Sequence, residues 1–355
     1  MTTFGFMFMC IFFSILYLGW GFIYLPHERW QMLASIPLRR NHEGHWEGIN
    51  LTFYGFLSAN AYLLSIAVLV FLLSSVSVPL SPLFSLALCL LGVCVPASSL
   101  IARWVEGKAH TFTVGGAVFI GIISAPWIIT GINRISVGFL NADPLPLLPC
   151  LAAMGIAYAF GEGFGRLACI SFGCCYGRTV SASHPLFQHL FSRFNLVFGG
   201  ATKKVSYAGH LEGQPLVPVQ ALTAVLYVST ALTATALFLY SYFLAAFILC
   251  GITTQGWRIV SETMRADYRG EQKFSAYQWM GLISIIYISL IGVFNGWLSS
   301  ALAVSAPQIG AGLSVFWNPA VLLTLQVLWL MMFLYTGCSS VTGSNLSFHV
   351  RRERV

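Results

Sequence analysis

Nine stretches of this chain are long and apolar enough to cross a bilayer, at about 5–25, 51–77, 83–102, 111–132, 147–165, 217–238, 243–257, 275–298 and 315–335. The hydrocarbon core is about 30 Å thick, so a helix needs about 20 apolar residues to span it. Inside lipid, every backbone N–H and C=O has to be satisfied by the protein, which leaves only helices or closed barrels. The runs are continuous rather than alternating, so helices are expected. Only 8% of the residues are charged, against about 25% in soluble domains. The expected fold is an all-α polytopic membrane helix bundle of nine spans. The run at 243–257 is short, and its polar continuation is expected to complete the crossing. No basic segment precedes the first run and no clear small-residue cleavage pattern follows it, so it reads as a retained helix rather than a signal peptide.

The sizeable hydrophilic insert lies between the fifth and sixth runs, at about 177–216. Its "KKVSYAGHLEGQPLVP" mixes short β-favouring pieces with Gly and Pro, which fits a small loop-rich cap. Residues 26–50 read as a long loop, and their "HEGHWE" sets His42 and His45 three apart. That is one residue short of the zinc-binding H-E-x-x-H, so a solvated loop is expected. No fixed-period repeat is evident.

Of the 18 Lys and Arg, alternation of nine spans puts 17 at one face. These are Arg29, Arg39, Arg40, Arg103, Lys108, Arg166, Arg178, Arg193, Lys203, Lys204, Arg258, Arg265, Arg269, Lys273, Arg351, Arg352 and Arg354. Arg134 alone falls at the other. By the positive-inside rule the crowded face is cytoplasmic. The acidic residues crowd it too, which marks it equally as the working face. Anionic lipid headgroups suit such a surface. Nucleic acid does not, because the charge is scattered over short separate loops.

Two clusters carry chemistry. In "GEGFGRLACISFGCCYGR" (161–178), Glu162 and Arg166 stand one helical turn apart at the end of an apolar run. An ionisable residue there is costly and tends to mark function, although a structural ion pair has the same spacing. In "GWRIVSETMRADYRG" (256–270), Arg258, Glu262, Arg265 and Arg269 recur as one helical stripe. A guanidinium stays charged and offers phosphate a two-pronged donor fork. Two arginines from two helices therefore suit one phosphodiester. Cys169, Cys174 and Cys175 form C-x4-C-C. This lacks the paired C-x2-C spacing of common zinc sites, so a packing role is expected and no metal.

Together these clusters resemble the prolipoprotein diacylglyceryl transferase family. Its signature, approximately G-R-x-G-N-F-x-N-G-E-x-x-G-R, is matched without a gap at Gly165, Arg166, Gly173, Gly177 and Arg178 of "GRLACISFGCCYGR". Its later R-x-x-x-E-x-x-R is matched by Arg258, Glu262 and Arg265. "FYGF" sets Tyr54 where the family has a functional tyrosine. "VGGAVFIG", with Gly115 and Gly116, resembles its H-G-G-L-I-G, "VPVQAL", with Gln220, its H-P-S-Q-L-Y, and "FSAYQWMGL" the opening of its last core helix. The resemblance covers about 50–298. It implies a seven-span core at 51–298 with the cap at 177–216, an added helix and loop at 1–50, and an added helix and basic tail at 299–355.

The chain also departs from the family at positions that matter for its chemistry. Cys169 replaces the signature's asparagine and Cys174 its glutamate, while Val114 and Val217 stand where the family has histidines. His110 lies one turn before Val114 as a substitute. The resemblance implies transfer of diacylglycerol from phosphatidylglycerol to a lipoprotein cysteine thiol, in the cell membrane, without metal or organic cofactor. Arg166 and Arg258, with Arg265 nearby, would hold the phosphate, and Glu162 and Glu262 would hold their guanidinium planes. Tyr54 and His110 are the candidates to assist deprotonation. Gly115, Gly173, Gly177, Arg178 and Gln220 would line the substrate site. Two alternatives stay open: the same donor with a lipid or sugar acceptor, and a non-catalytic lipid-binding protein.

Overall fold

The computed structural model describes residues 2–29, 31–40, 42, 46–106, 113–140, 144–266, 274–294, 304–338 and 347–348. Among them are nine helices long and apolar enough to cross a membrane. They are α1 (Thr3–Tyr24), α2 (Phe53–Ser75), α3 (Leu80–Glu106), α4 (Val114–Leu140), α5 (Leu147–Phe172), α8 (Val219–Leu239), α9 (Phe243–Met264), α10 (Ala276–Val293) and α12 (Pro319–Gly337). The protein is a multi-pass membrane helix bundle, as the nine apolar runs require.

Helix α5 is the axis of the bundle. It packs on α2, α8 and α9, and its buried face is built from Ala152, Ala153, Ala157, Ala159 and Gly163. Small side chains let helix backbones approach closely where lipid supplies no hydrophobic drive for association. Helices α3 and α4 pair with each other, α4 also touching α10. Their outer faces expose Leu88, Trp104 and Trp127, apolar side chains suited to lipid. Helix α1 leans on α5 and α8, and α12 lies along α2. Gly55 permits that last contact, because a Cβ there would strike the Gly337 backbone.

Two expectations needed correction. Residues 26–50 are not simply a loop. Met32–Arg40 (β1) and Trp46–Thr52 (β2) form an antiparallel hairpin, and Ser347–Phe348 (β5) adds to β2 as a third strand. Pro37, which has no N–H to donate, sits where the β1–β2 register slips. The charged residues of "LRRNHEGHWEG" obscured the apolar alternation of Ile36, Leu38 and Ile49, which the hairpin leaves exposed. His42 is exposed, as expected of a solvated residue. His45, the basic tail at 351–355 and residues 299–303 lie outside the described residues. Secondly, α5 runs on past 165 to Phe172, whereas α9 continues past 257 to Met264 as its short run was expected to. Arg166, Cys169 and Arg258 therefore lie within membrane helices rather than beyond their ends.

The segment expected as a cap, 177–216, lies between α5 and α8. It contains two short helices, α6 (Pro185–Phe191) and α7 (Lys204–Tyr207). A two-residue antiparallel pair joins β3 (Leu196–Val197) to β4 (Pro215–Leu216). Lys203 anchors it. Its fully buried ammonium donates to Leu25 O at 3.0 Å and Ser171 O at 2.6 Å, tying the ends of α1 and α5 to the cap.

Candidate functional site

The site forms where α5 and α9 end on the same face. Gly173 caps α5 in the left-handed conformation, φ 69°, which glycine adopts without Cβ strain. The chain then turns back, and Tyr176–Arg178 runs beside Met264–Ala266. Arg178 N donates to Met264 O at 3.0 Å and Ala266 N to Tyr176 O at 3.1 Å. This pairing ends α9. Arg265 is extended, with ψ 151°, so the expected stripe of Arg258, Glu262, Arg265 and Arg269 breaks after Glu262. Arg269 lies outside the described residues. Gly177 has to be small, because a Cβ there would strike Val217 O.

Arg166 is half-buried on α5 and ion-paired with Glu162 one turn earlier. Its Nη1 lies 3.9 Å from Cys169 Sγ. Its Nε is buried and has no hydrogen-bond acceptor among the described residues. Arg258, also half-buried, shares its surroundings: Tyr158, Tyr227 and Glu162 interact electrostatically with both guanidiniums. No ion pair with a carboxylate joins Arg258 among the described residues. Two cations thus share one carboxylate within the membrane-spanning part of the bundle. That leaves an excess positive charge suited to an anion.

Helix α4 comes close at Gly115. A Cβ there would lie 2.8 Å from the Tyr277 ring and 3.4 Å from Arg258 Nη1. Gln220, buried in the first turn of α8, donates from Nε2 to Cys174 O at 2.9 Å, and its Oε1 is buried without a partner among the described residues. Tyr54, at the start of α2, meets Phe172 edge-on with ring centroids 5.6 Å apart. It interacts electrostatically with all three cysteines. Glu262 is half-buried in the last turn of α9. Arg178 is exposed, its Nε 3.4 Å from Arg265 O. His110 lies outside the described residues.

The fold therefore gathers Arg166, Glu162, Arg258, Gly115, Tyr54, Gln220, Gly173, Gly177 and Arg265 around one helix-end junction. Sequence reasoning missed Tyr158, Tyr227 and Tyr62. Tyr227 OH donates to Thr254 O at 2.7 Å, and Tyr62 lies near Glu162. Tyrosine in an apolar run is the cue, since its hydroxyl seeks a partner when buried. The three thiols also converge, which C-x4-C-C did not announce. Hydrogen bonds from Cys169 and Cys174, then the nearby Arg265 and Arg166, hold the Cys175 thiol well below its ordinary range. No family model matches this chain and no curated protein matches it, so its likeness to the diacylglyceryl transferases stands on these residues alone.

Proposed function

We propose that the protein is a membrane transferase that takes a diacylglyceryl group from phosphatidylglycerol and places it on an acceptor nucleophile, by resemblance a lipoprotein cysteine thiol. The observation that carries this is the paired guanidiniums of Arg166 and Arg258 inside a lipid-facing bundle, with Glu162 as their shared carboxylate and a free Nε donor on Arg166. A phosphodiester supplies the missing negative charge and accepts the idle donor.

In the reaction the acceptor sulfur attacks the glyceryl carbon bonded to the phosphate oxygen. A C–S bond forms, the C–O bond breaks, and the bonding pair leaves on glycerol phosphate. Donors already in place around the leaving oxygens lower the barrier most, because they need no reorganisation as charge develops. Arg166 and Arg258 take that role. Tyr158 and Tyr227 lie near Arg258, and Gly115 leaves room beside its Nη1. The thiolate is the reactive form. Tyr54 stands at the junction as a group to assist its formation.

A second reading keeps the donor and exchanges the acceptor for a lipid or sugar. It is favoured by the 17 cations that span alternation puts on the working face and by Val114 and Val217 where the family has histidines. The deciding experiment incubates purified protein with phosphatidylglycerol labelled in its diacylglyceryl group and a peptide carrying a lipobox cysteine. Labelled peptide is the expected product. Consumption of donor without labelled peptide favours the second reading, and no consumption of donor overturns both.

A further inference from the structure

We propose that Cys169, Cys174 and Cys175 hold a thiophilic d10 metal ion, zinc or copper(I), through three thiolates. The Sγ atoms all lie within 4.8 Å of one another. A tetrahedral ion at about 2.3 Å from each sulfur separates its ligands by about 3.8 Å, so the sulfurs need close by at most about 1 Å per pair.

Backbone conformation produces this convergence. Cys169 projects from the last turn of α5, and Cys174 N donates to its carbonyl at 3.1 Å. Two left-handed residues then fold the chain back, Gly173 at φ 69° and Cys175 at φ 56°. Glycine takes that conformation freely, whereas cysteine does so against steric resistance. Strained residues of this kind cluster where the surrounding structure requires one side-chain direction. Here the direction returns Cys175 to the other two thiols.

The surroundings suit an ion. Three thiolates with a divalent ion carry one negative charge, and with a monovalent ion two. Arg166 lies 3.9 Å from Cys169 Sγ and Arg265 interacts electrostatically with Cys175, so either charge is offset. A disulfide would employ two sulfurs and leave the third idle. Three protein ligands also leave a position open, which is the pattern of reactive rather than closed structural zinc. The inference does not need the transferase reading, although both draw on the charge of Arg166.

The test uses the full chain, purified in detergent, reduced, stripped with chelator and kept anaerobic. Cobalt(II) is added first. The expected result is one ion per chain, a thiolate-to-cobalt charge-transfer band and tetrahedral ligand-field bands, all displaced by zinc. If cobalt gives no such band, copper(I) is titrated against a chromophoric chelator, and one tightly held copper per chain upholds the site. Cys169→Ser, Cys174→Ser and Cys175→Ser should each abolish the signal, while Cys338→Ser should leave it intact. Reduced wild-type protein that binds neither ion overturns the proposal. So does a signal that survives all three substitutions, or a disulfide between any two of these cysteines in protein isolated without reductant.

Discussion

An arginine inside an apolar helix was legible because its cost is visible in the sequence: lipid tolerates a guanidinium only when something answers its charge. Arg166 and Arg258 were found this way, and the fold gives them common neighbours. What stands beside Arg258 was not legible. Tyr158 and Tyr227 look like bundle filler in one dimension, and only the crossing of α5, α8 and α9 brings them to it. Arg258→Lys should lower donor turnover by about ten- to a hundredfold with normal expression. A point charge forfeits one charge-assisted hydrogen bond, worth about 1.5–3 kcal/mol. Initial rates on labelled phosphatidylglycerol measure this, and near-normal rates in both Arg258→Lys and Arg166→Lys would remove the arginines from the reaction. Gly115→Val tests the same guanidinium by steric means. Its added bulk meets the buried Tyr277 ring and Arg258 Nη1, so turnover should fall by at least as much, and overpacking should lower the thermal midpoint in detergent as well.

At the scale of elements, apolar runs gave every spanning helix, but their ends depended on tertiary partners. Helix α9 stops at Met264 because Tyr176–Arg178 captures the following backbone, a contact 87 residues distant in sequence. Helix α10, by contrast, announced its start. Ser275 and Gln278 form a reciprocal capping box, a pattern written into four adjacent residues. The joint between α1, α5 and the cap was hidden altogether, since Lys203 lies in a polar segment and reads as solvated. Burial pushes its amine down to about 8, with Glu28 opposing. The unfolded chain, with an ordinary lysine near 10.5, therefore binds more protons than the folded one between about pH 8 and 10.5. Stability from this group rises with pH across that window and is lowest below it. Lys203→Met at pH 7 removes the donor to Leu25 O, while Ser171 O keeps Gln31 Nε2 at 2.8 Å. The expected loss is about 1–3 kcal/mol, read as a lower thermal midpoint. Raising pH from 8 to 10 should increase the stability of wild type relative to Lys203→Met, and a constant difference would refute this account of the joint.

For the whole molecule the open question is which way the site faces, and the fold constrains it through contacts between loops. Residues after the first span touch residues after the fifth, through Gly199 N to Pro26 O at 3.0 Å. Residues after the fifth touch those after the seventh, through Gly177 and Arg265. The segment after the ninth joins the hairpin after the first, through Leu51 and Cys338. On the opposite side Gln308 N, after the eighth span, donates to Ser75 O at the end of the second, at 2.8 Å. Odd meets odd and even meets even, so the parity behind the charge count stands. Arg166, Arg258 and the cap lie on the face to which alternation of the nine spans assigns 17 of the 18 Lys and Arg, theirs included. Positive-inside asymmetry turns that face to the cytoplasm, whereas the resemblance turns it outward, where exported lipoprotein precursors meet their transferase. Charge placement acts on this chain's own insertion, so the cytoplasmic orientation is the expected one. Ser181 is exposed in the cap and suits a reporter. In Ser181→Cys, an impermeant thiol reagent applied to intact cells should add no label beyond that of wild type, and opening the cells should add one equivalent. Label gained before opening would put the site outside and favour a lipoprotein thiol as acceptor. Protection until opening would favour an acceptor presented at the cytoplasmic leaflet.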